Sequence, residues 1–238
     1  MMLKKSKLFF LLVSMTFALS TNASRLYAGN DDAKNATQKI TALLNNITST
    51  SAHFSQSVSD PQGKILQSSK GVMKIKRPLR FIWNTAEPYE QVISSDGETM
   101  WIYDKDLEQV TVQALNTQAG DTPALLFSGD PAVLAEHFDV RQSNSIKEDY
   151  PLDGNTNSSN KTKQIFDLYP LDQKAAFSMM SVTFENKKLV AMELKDHLGQ
   201  RTEIFFDKVE LNPVLLDKSF VFNPPEGVDI IHNKSSSE

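Results

Sequence analysis

The sequence predicts a mainly β domain, an antiparallel sheet of about ten strands that curls on itself, with one helix before it and short helices inserted near its middle. Three observations predict it. Apolar residues recur with a period of two over most of the chain from His53 onward. Turn signals separate these runs at short intervals, which favours strands joined as successive hairpins. Before them, Ala36, Ile40, Leu43, Leu44 and Ile47 recur at helical spacing and form one apolar stripe, with Asp31 or Asp32 placed to cap it.

The strands follow in order. Phe54, Gln56 and Val58 share a face, and Asp60-Pro61-Gln62-Gly63 turns the chain into a strand beginning at Ile65. Gly71 to Lys76 alternates again, with Met73 and Ile75 on one side. Arg80 to Trp83 continues until Glu87-Pro88 breaks it, and Gln91–Ser94 and Thr99–Tyr103 flank a tight Asp96-Gly97 hairpin. Gln109 to Leu115 is the next strand. Thr122-Pro123 reads as a helix start carrying Leu125 and Leu126, and a second short helix spans Ala132 to Glu136. Strands return at Asp139–Ser143, Gln164–Tyr169, Met179–Glu185, Leu189–Lys195 and Thr202–Val209, with a last short one at Phe220–Phe222 before Pro224-Pro225. The polar, aperiodic run from Tyr150 to Lys163 reads as an exposed loop. A helix must bury its stripe, and the concave face of the sheet is the place for it.

The N-terminus reads as a cleaved secretory signal peptide, residues 1–23. Lys4, Lys5 and Lys7 precede an uncharged apolar run, Leu8 to Leu19, too short to span a bilayer, and Thr21-Asn22-Ala23 supplies small residues at cleavage spacing. Leu26-Tyr27-Ala28 is the alternative cleavage site, and an uncleaved anchor is the competing reading. Residues 24–238 then form a single exported domain with no cysteine and no disulfide, large enough to rely on its core. Without cysteine the chain cannot itself be acylated as a bacterial lipoprotein, so any lipid it handles belongs to another molecule. Removing the three lysines takes the balance from 25 basic and 29 acidic residues, net −4, to 22 and 29, net −7. That argues against a nucleic-acid partner.

No catalytic constellation emerges. His53, His137, His197 and His232 are scattered without zinc-ligand spacing, and neither a nucleophile elbow nor a phosphate-binding glycine loop is present. The reading is of a protein that is not an enzyme and needs no cofactor or metal. The alternation instead supplies apolar material for an inward face: Phe54, Met73, Phe81, Trp83, Met100, Ile102, Phe166, Met179, Phe184, Met192, Leu194 and Phe206. Period alone leaves open whether that face is filled by protein or kept for a ligand.

Several short motifs, in order, resemble the LolA family of periplasmic lipoprotein carriers: Lys76-Arg77-Pro78 with Phe81 and Trp83, Ser95-Asp96-Gly97 with Trp101 and Tyr103, Thr122-Pro123-Ala124-Leu125-Leu126, and Phe220 to Val228. The resemblance runs from about Phe54 to Val228 and implies an incomplete, open β-barrel covered by an α-helical lid with a hydrophobic cavity between. It implies a monomeric periplasmic chaperone of a Gram-negative bacterium, working in lipoprotein localisation and outer-membrane biogenesis. Such a carrier accepts acylated lipoproteins from an inner-membrane ABC releasing complex and hands them to an outer-membrane receptor. By the same resemblance Arg77 closes the lid over the empty cavity, Phe81 lines the mouth, and Leu125 and Leu126 meet acyl chains. The loop at Tyr150–Lys163 departs from the family in length. Two other classes compete, a periplasmic sensor that binds lipid through the same fold and an envelope hydrolase.

Overall fold

The structure, a computed structural model, describes residues 23–115, 134–143 and 163–233, with side chains from residue 32 onward. Helix α1 (Ala23–Asn45) leads into strands β1 (Ser49–Ser59), β2 (Ile65–Lys76), β3 (Arg80–Glu87), β4 (Gln91–Asp96), β5 (Thr99–Asp104) and β6 (Gln109–Ala114). A single helical turn, α2 (Leu134–His137), precedes β7 (Phe138–Ser143), and β8 (Lys163–Pro170), β9 (Met179–Glu185), β10 (Lys188–Lys195), β11 (Arg201–Leu211) and β12 (Asp229–Asn233) follow. All twelve strands join one sheet in the order β12-β6-β5-β4-β3-β2-β1-β11-β10-β9-β8-β7. Among the described residues no pairing joins β7 to β12, so the sheet they form is open.

Apart from the parallel β6–β12 pair, every pairing is antiparallel, as the hairpin spacing predicts. Aspartates build the turns at one end of the sheet. Asp60 Oδ1 accepts from the amides of Gln62 and Lys64 at 3.0 and 2.9 Å, and Asp196 Oδ1 accepts from Leu198 and Gln200, both at 2.8 Å. These side chains hold the bent backbone in place of ladder hydrogen bonds. At the opposite end, Asn186 and Lys187 adopt φ of 50° and 68°, the two left-handed residues that match a tight hairpin to strand twist.

The helical stripe is where the spacing puts it. Ala36, Ile40 and Leu44 are at most 1% exposed and share one core with inward residues of the sheet, including Ala52, Met73, Val140, Phe166 and Phe184. Burying Ile40 and Leu44 contributes about 2 kcal/mol each. Lys39 Nζ donates to Gln142 Oε1 at 2.7 Å, tying α1 to β7.

Four expectations need correction. Asp31 and Asp32 lie inside α1 rather than capping it, because the helix already runs from Ala23. The first strand begins at Ser49, not His53. Ser49 and Thr50 are buried, and Ser49 Oγ donates to Pro213 O at 2.7 Å while Asn212 Oδ1 accepts from Thr48 N at 2.8 Å. Phe220 is in a 3₁₀ turn (Asp217–Phe220), not a strand. It is fully buried against the convex side of the sheet, where its carbonyl accepts from Ser94 Oγ at 2.7 Å instead of joining a ladder. The last strand is β12, beyond Pro224-Pro225. The helix expected at Thr122-Pro123, with Leu125 and Leu126, and the loop at Tyr150–Lys163 up to residue 162 lie outside the described residues, as does the tail Ser235–Glu238.

Candidate functional site: an apolar cleft in the open barrel

A cleft of about 670 Å³ opens on the concave side of the sheet. Its floor is Phe81 and Trp83 of β3, Ile93 of β4, Leu194 of β10 and Ile204 of β11. Ile93 and Leu194 face the same space although four strands separate β4 from β10 in the sheet, which can happen only because the sheet curls. The size falls in the range of small-molecule sites.

The mouth lies at the end of the barrel where alternate turns gather. Tyr89, in the β3–β4 turn, and Leu107, in the β5–β6 turn, stand 65% and 67% exposed at its lip. Asp104 and Asp106 line the same edge. Beside it Lys105 Nζ meets the Glu90 carboxylate at 2.7 Å, and that hydrogen bond and charge raise the lysine pKa above its ordinary value. The rest of the lining is neutral and polar, with Gln56, Gln67, Ser69, Thr85, Gln91 and Thr202, and of these Gln56 pairs with Ile204 and Thr202 with Leu194 of the floor.

The floor is braced from behind. Phe54 stacks on Trp83 at 4.2 Å between ring centroids, and Phe206 meets the other ring edge-on at 6.2 Å. Gly71 makes the first contact possible. A Cβ there would stand 2.7 Å from Phe54 Cζ and 2.0 Å from the carbonyl oxygen of Asn84, so no side chain fits. A bare position on β2 lets the aromatic ring of β1 lie across it.

Of the predicted inward residues, Phe81, Trp83 and Leu194 line the cleft directly. Phe54, Met73, Met100, Phe166, Phe184, Met192 and Phe206 are buried in the core around it, and Ile102 and Leu194 pack partly buried against that core. Met179 is half-buried and outside the core cluster; its neighbour Met180, 1% exposed, takes the core position on β9. Arg77 does not line the large cleft. It borders a separate void of about 20 Å³ with Leu44, Met73, Ile75, Phe184 and Leu189, and its Nε and Nη2 are shielded from solvent. The sequence reading missed the lip residues Tyr89 and Leu107, whose turn positions carry no period, and the polar wall. Ile93 and Ile204 it also passed over, although both sit at inward positions of regular alternation.

On the convex side, the segment after β11 straps the sheet. Lys76 Nζ donates to Leu215 O at 2.7 Å and to Asp217 at 2.5 Å, and Phe222 lies 5.4 Å from the Tyr103 ring. The lysine hydrogen bond holds the Asp217 carboxyl below the usual carboxylate pKa. Among the described residues no group of three His, Asp or Glu side chains is placed to hold a metal, and no helix is long and apolar enough to cross a membrane.

An open barrel whose concave side keeps an aromatic and aliphatic cleft, entered from one end, defines a protein built to shelter apolar ligands. The chain belongs to the LolA family: the family profile described as outer membrane lipoprotein carrier protein LolA matches residues 45–223. It is 40% identical over 192 residues to the outer-membrane lipoprotein carrier protein of Hahella chejuensis, covering 81% of this chain and 86% of that one. It is 39% identical over 214 residues to the outer-membrane lipoprotein carrier protein of Pseudomonas aeruginosa, covering 90% and 94%. Among solved structures, a LolA superfamily protein from Nitrosomonas europaea is 14% identical and superposes with a TM-score of 0.44, covering 79% of this chain and 98% of that one.

Proposed function

We propose that this protein is a periplasmic chaperone that carries acylated lipoproteins between membranes and catalyses no reaction. The observation that carries the reading is the cleft floored by Phe81, Trp83, Ile93, Leu194 and Ile204, in a chain whose relatives are named lipoprotein carriers. Each methylene taken from water is worth about 0.8 kcal/mol, so acyl chains cannot cross an aqueous space bare, and a concave apolar surface is the physical remedy. In this reading residues 1–23 direct export and are removed. The cargo comes from an inner-membrane ABC releasing complex and passes to an outer-membrane receptor.

The carrier must also let go. Arg77 serves as the latch, with its Nε and Nη2 shielded from solvent at the opposite end of the sheet from the mouth. A guanidinium donates several hydrogen bonds at once, which suits it to backbone carbonyls as acceptors. Phe81 shapes the floor on which chains settle, and Leu125 and Leu126 contact the chains from the covering segment.

The test is native mass spectrometry of the protein purified from periplasm without detergent. Co-purifying triacylated lipoproteins support the carrier. A protein that stays empty, and that cannot extract a lipoprotein from inner-membrane vesicles supplied with the releasing complex and ATP, overturns it.

A further inference from the structure

We infer that the free edge of β12 is a docking strand for the cargo polypeptide, and that the segment just behind the acylated cysteine pairs with it as an added strand of the sheet. The inference rests on the carrier reading and deepens it. Edge strands expose unpaired amides and carbonyls, and soluble proteins blunt them with charge, proline or cover. The two edges of this sheet differ. β7 carries Asp139 and Arg141, paired at 2.7 Å, with the guanidinium 4.8 Å from the Tyr169 ring, and its Gln142 is bonded to Lys39 of α1. The centre of β12 has no such protection. All five of its residues are exposed, Ile230 and Ile231 at 50% and 43%, and among the described residues no strand lies on its outer side.

The pairing with β6 fixes which backbone groups are free. Asp229 N donates to Glu108 O at 2.8 Å, and Asp229 stands opposite Gln109. In a parallel ladder alternate residues turn their backbone to the partner. Asp229, Ile231 and Asn233 therefore bond toward β6, while Ile230 and His232 present N–H and C=O groups to the outside. Their neighbours offer one isoleucine on each face of the sheet for the side chains of an added strand.

Position names the occupant. Asp229 is bonded to the same β5–β6 turn that brings Asp106 and Leu107 to the mouth. On the concave side Ile93 of the cleft floor, Ile102, Thr111 and Ile231 form one cross-strand row, so the surface of the cleft runs on to the edge. Three strand spacings, about 14 Å, separate Ile93 from Ile231. A protein whose acyl chains lie on the floor must lead its polypeptide out of the cleft, and about five extended residues cover that distance. Main-chain bonds carry the contact, so it asks of the cargo only an extended segment with free amides.

The experiment uses the mature protein and two soluble lipids with the same chains, an S-(dioctanoylglyceryl)-cysteine amide and the same group followed by a Ser/Thr/Val peptide of about twelve residues. Hydrogen exchange of the Ile230 and His232 amides is measured together with both affinities. The expected result is protection of these two amides and roughly tenfold tighter binding for the peptide-bearing lipid alone. Ile230→Pro, at a position whose N–H faces solvent, should remove that gain and leave binding of the bare lipid unchanged. N-methylating alternate residues of the peptide leaves the protein untouched, which keeps the test decisive should Ile230→Pro fail to fold. It should remove the gain in one phase and spare it in the other, because only one edge of the added strand faces β12. Equal affinities and unchanged exchange with and without the peptide overturn the inference and leave the carrier reading standing. A gain that survives N-methylation in both phases overturns it too. Protection that rises with protein concentration in the absence of lipid assigns the edge to a second copy and overturns it. Failure of both lipids to bind overturns the carrier reading itself.

Discussion

The ring of Phe54 lies on the ring of Trp83 with 4.2 Å between centroids and 27° between planes, although β2 runs between their two strands. The contact crosses β2 at Gly71, which pairs with Phe54. Gly71→Ala should therefore act on the cleft floor from outside it. The new methyl meets the Asn84 carbonyl and the Phe54 ring, neither of which can yield without moving a strand. We expect a loss of about 3 kcal/mol, read as a lower urea midpoint with an unchanged slope. An unchanged midpoint would mean the strands accommodate the methyl freely.

Trp83 should report occupancy. The chain has two tryptophans, and Trp101 stands opposite Ser94, the residue bonded to the convex strap. In Trp101→Phe the remaining indole borders the cleft, so an acyl ligand should displace water from it and shift its emission to the blue. Trp83→Phe should show no such shift from Trp101. Equal responses from both variants would place the ligand elsewhere.

If Arg77 latches the empty state, Arg77→Leu should still take cargo from inner-membrane vesicles but deliver less of it to the receptor. Arg77→Lys should behave alike, since an ammonium cannot reproduce the fork of guanidinium donors. Normal delivery by either variant removes Arg77 from the mechanism.

The strap should respond to acid with a definite sign. The Lys76 hydrogen bond, with Lys76 and Arg80 charges beside it, lowers the Asp217 pKa in the folded state. Its stabilisation is present above the ordinary carboxylate pKa and is lost as pH falls through the lowered folded value. Asp217 is solvent-exposed, so the effect is small. Asp217→Asn should have a slightly lower Tm than the parent at neutral pH, with the gap closing in acid. A gap that widens on acidification would contradict the ion pair.

Much of the fold was legible because its signals are local. Period-two alternation located β2 to β6 and β8 to β11, and aspartates in Asp60-Pro61-Gln62-Gly63 and Asp96-Gly97 marked turns that their own side chains hold. What escaped was set at a distance. Ser49 and Thr50 look like a linker until Asn212 and Pro213 arrive to pair with that stretch. Phe220 looks like a strand residue until the convex face of β4 claims it. β12 finds its parallel partner only across the strap. Met179 and Met180 differ by one residue, and a one-residue slip exchanges the faces of a strand. In the cleft, apolar floor residues stood out as a pattern, whereas Gln56, although it shares the face of Phe54, and Gln67 and Gln91 suggested no site, because only closure of the sheet gathers them around one space.

The pairing of β1 with β11 sets the order in which this container comes into being. Hairpins β1 to β6 and β7 to β11 each join neighbours in the chain, so either half can form from local encounters. The single seam between the halves joins one of the earliest strands to nearly the last, and its loop-closure entropy must be met before it rewards the chain. Because Ile93 and Leu194 come from opposite sides of that seam, no partial chain possesses the cleft. A chain that has not yet supplied β10 and β11 lacks Leu194 and Ile204, so the cleft is complete only once β11 docks on β1.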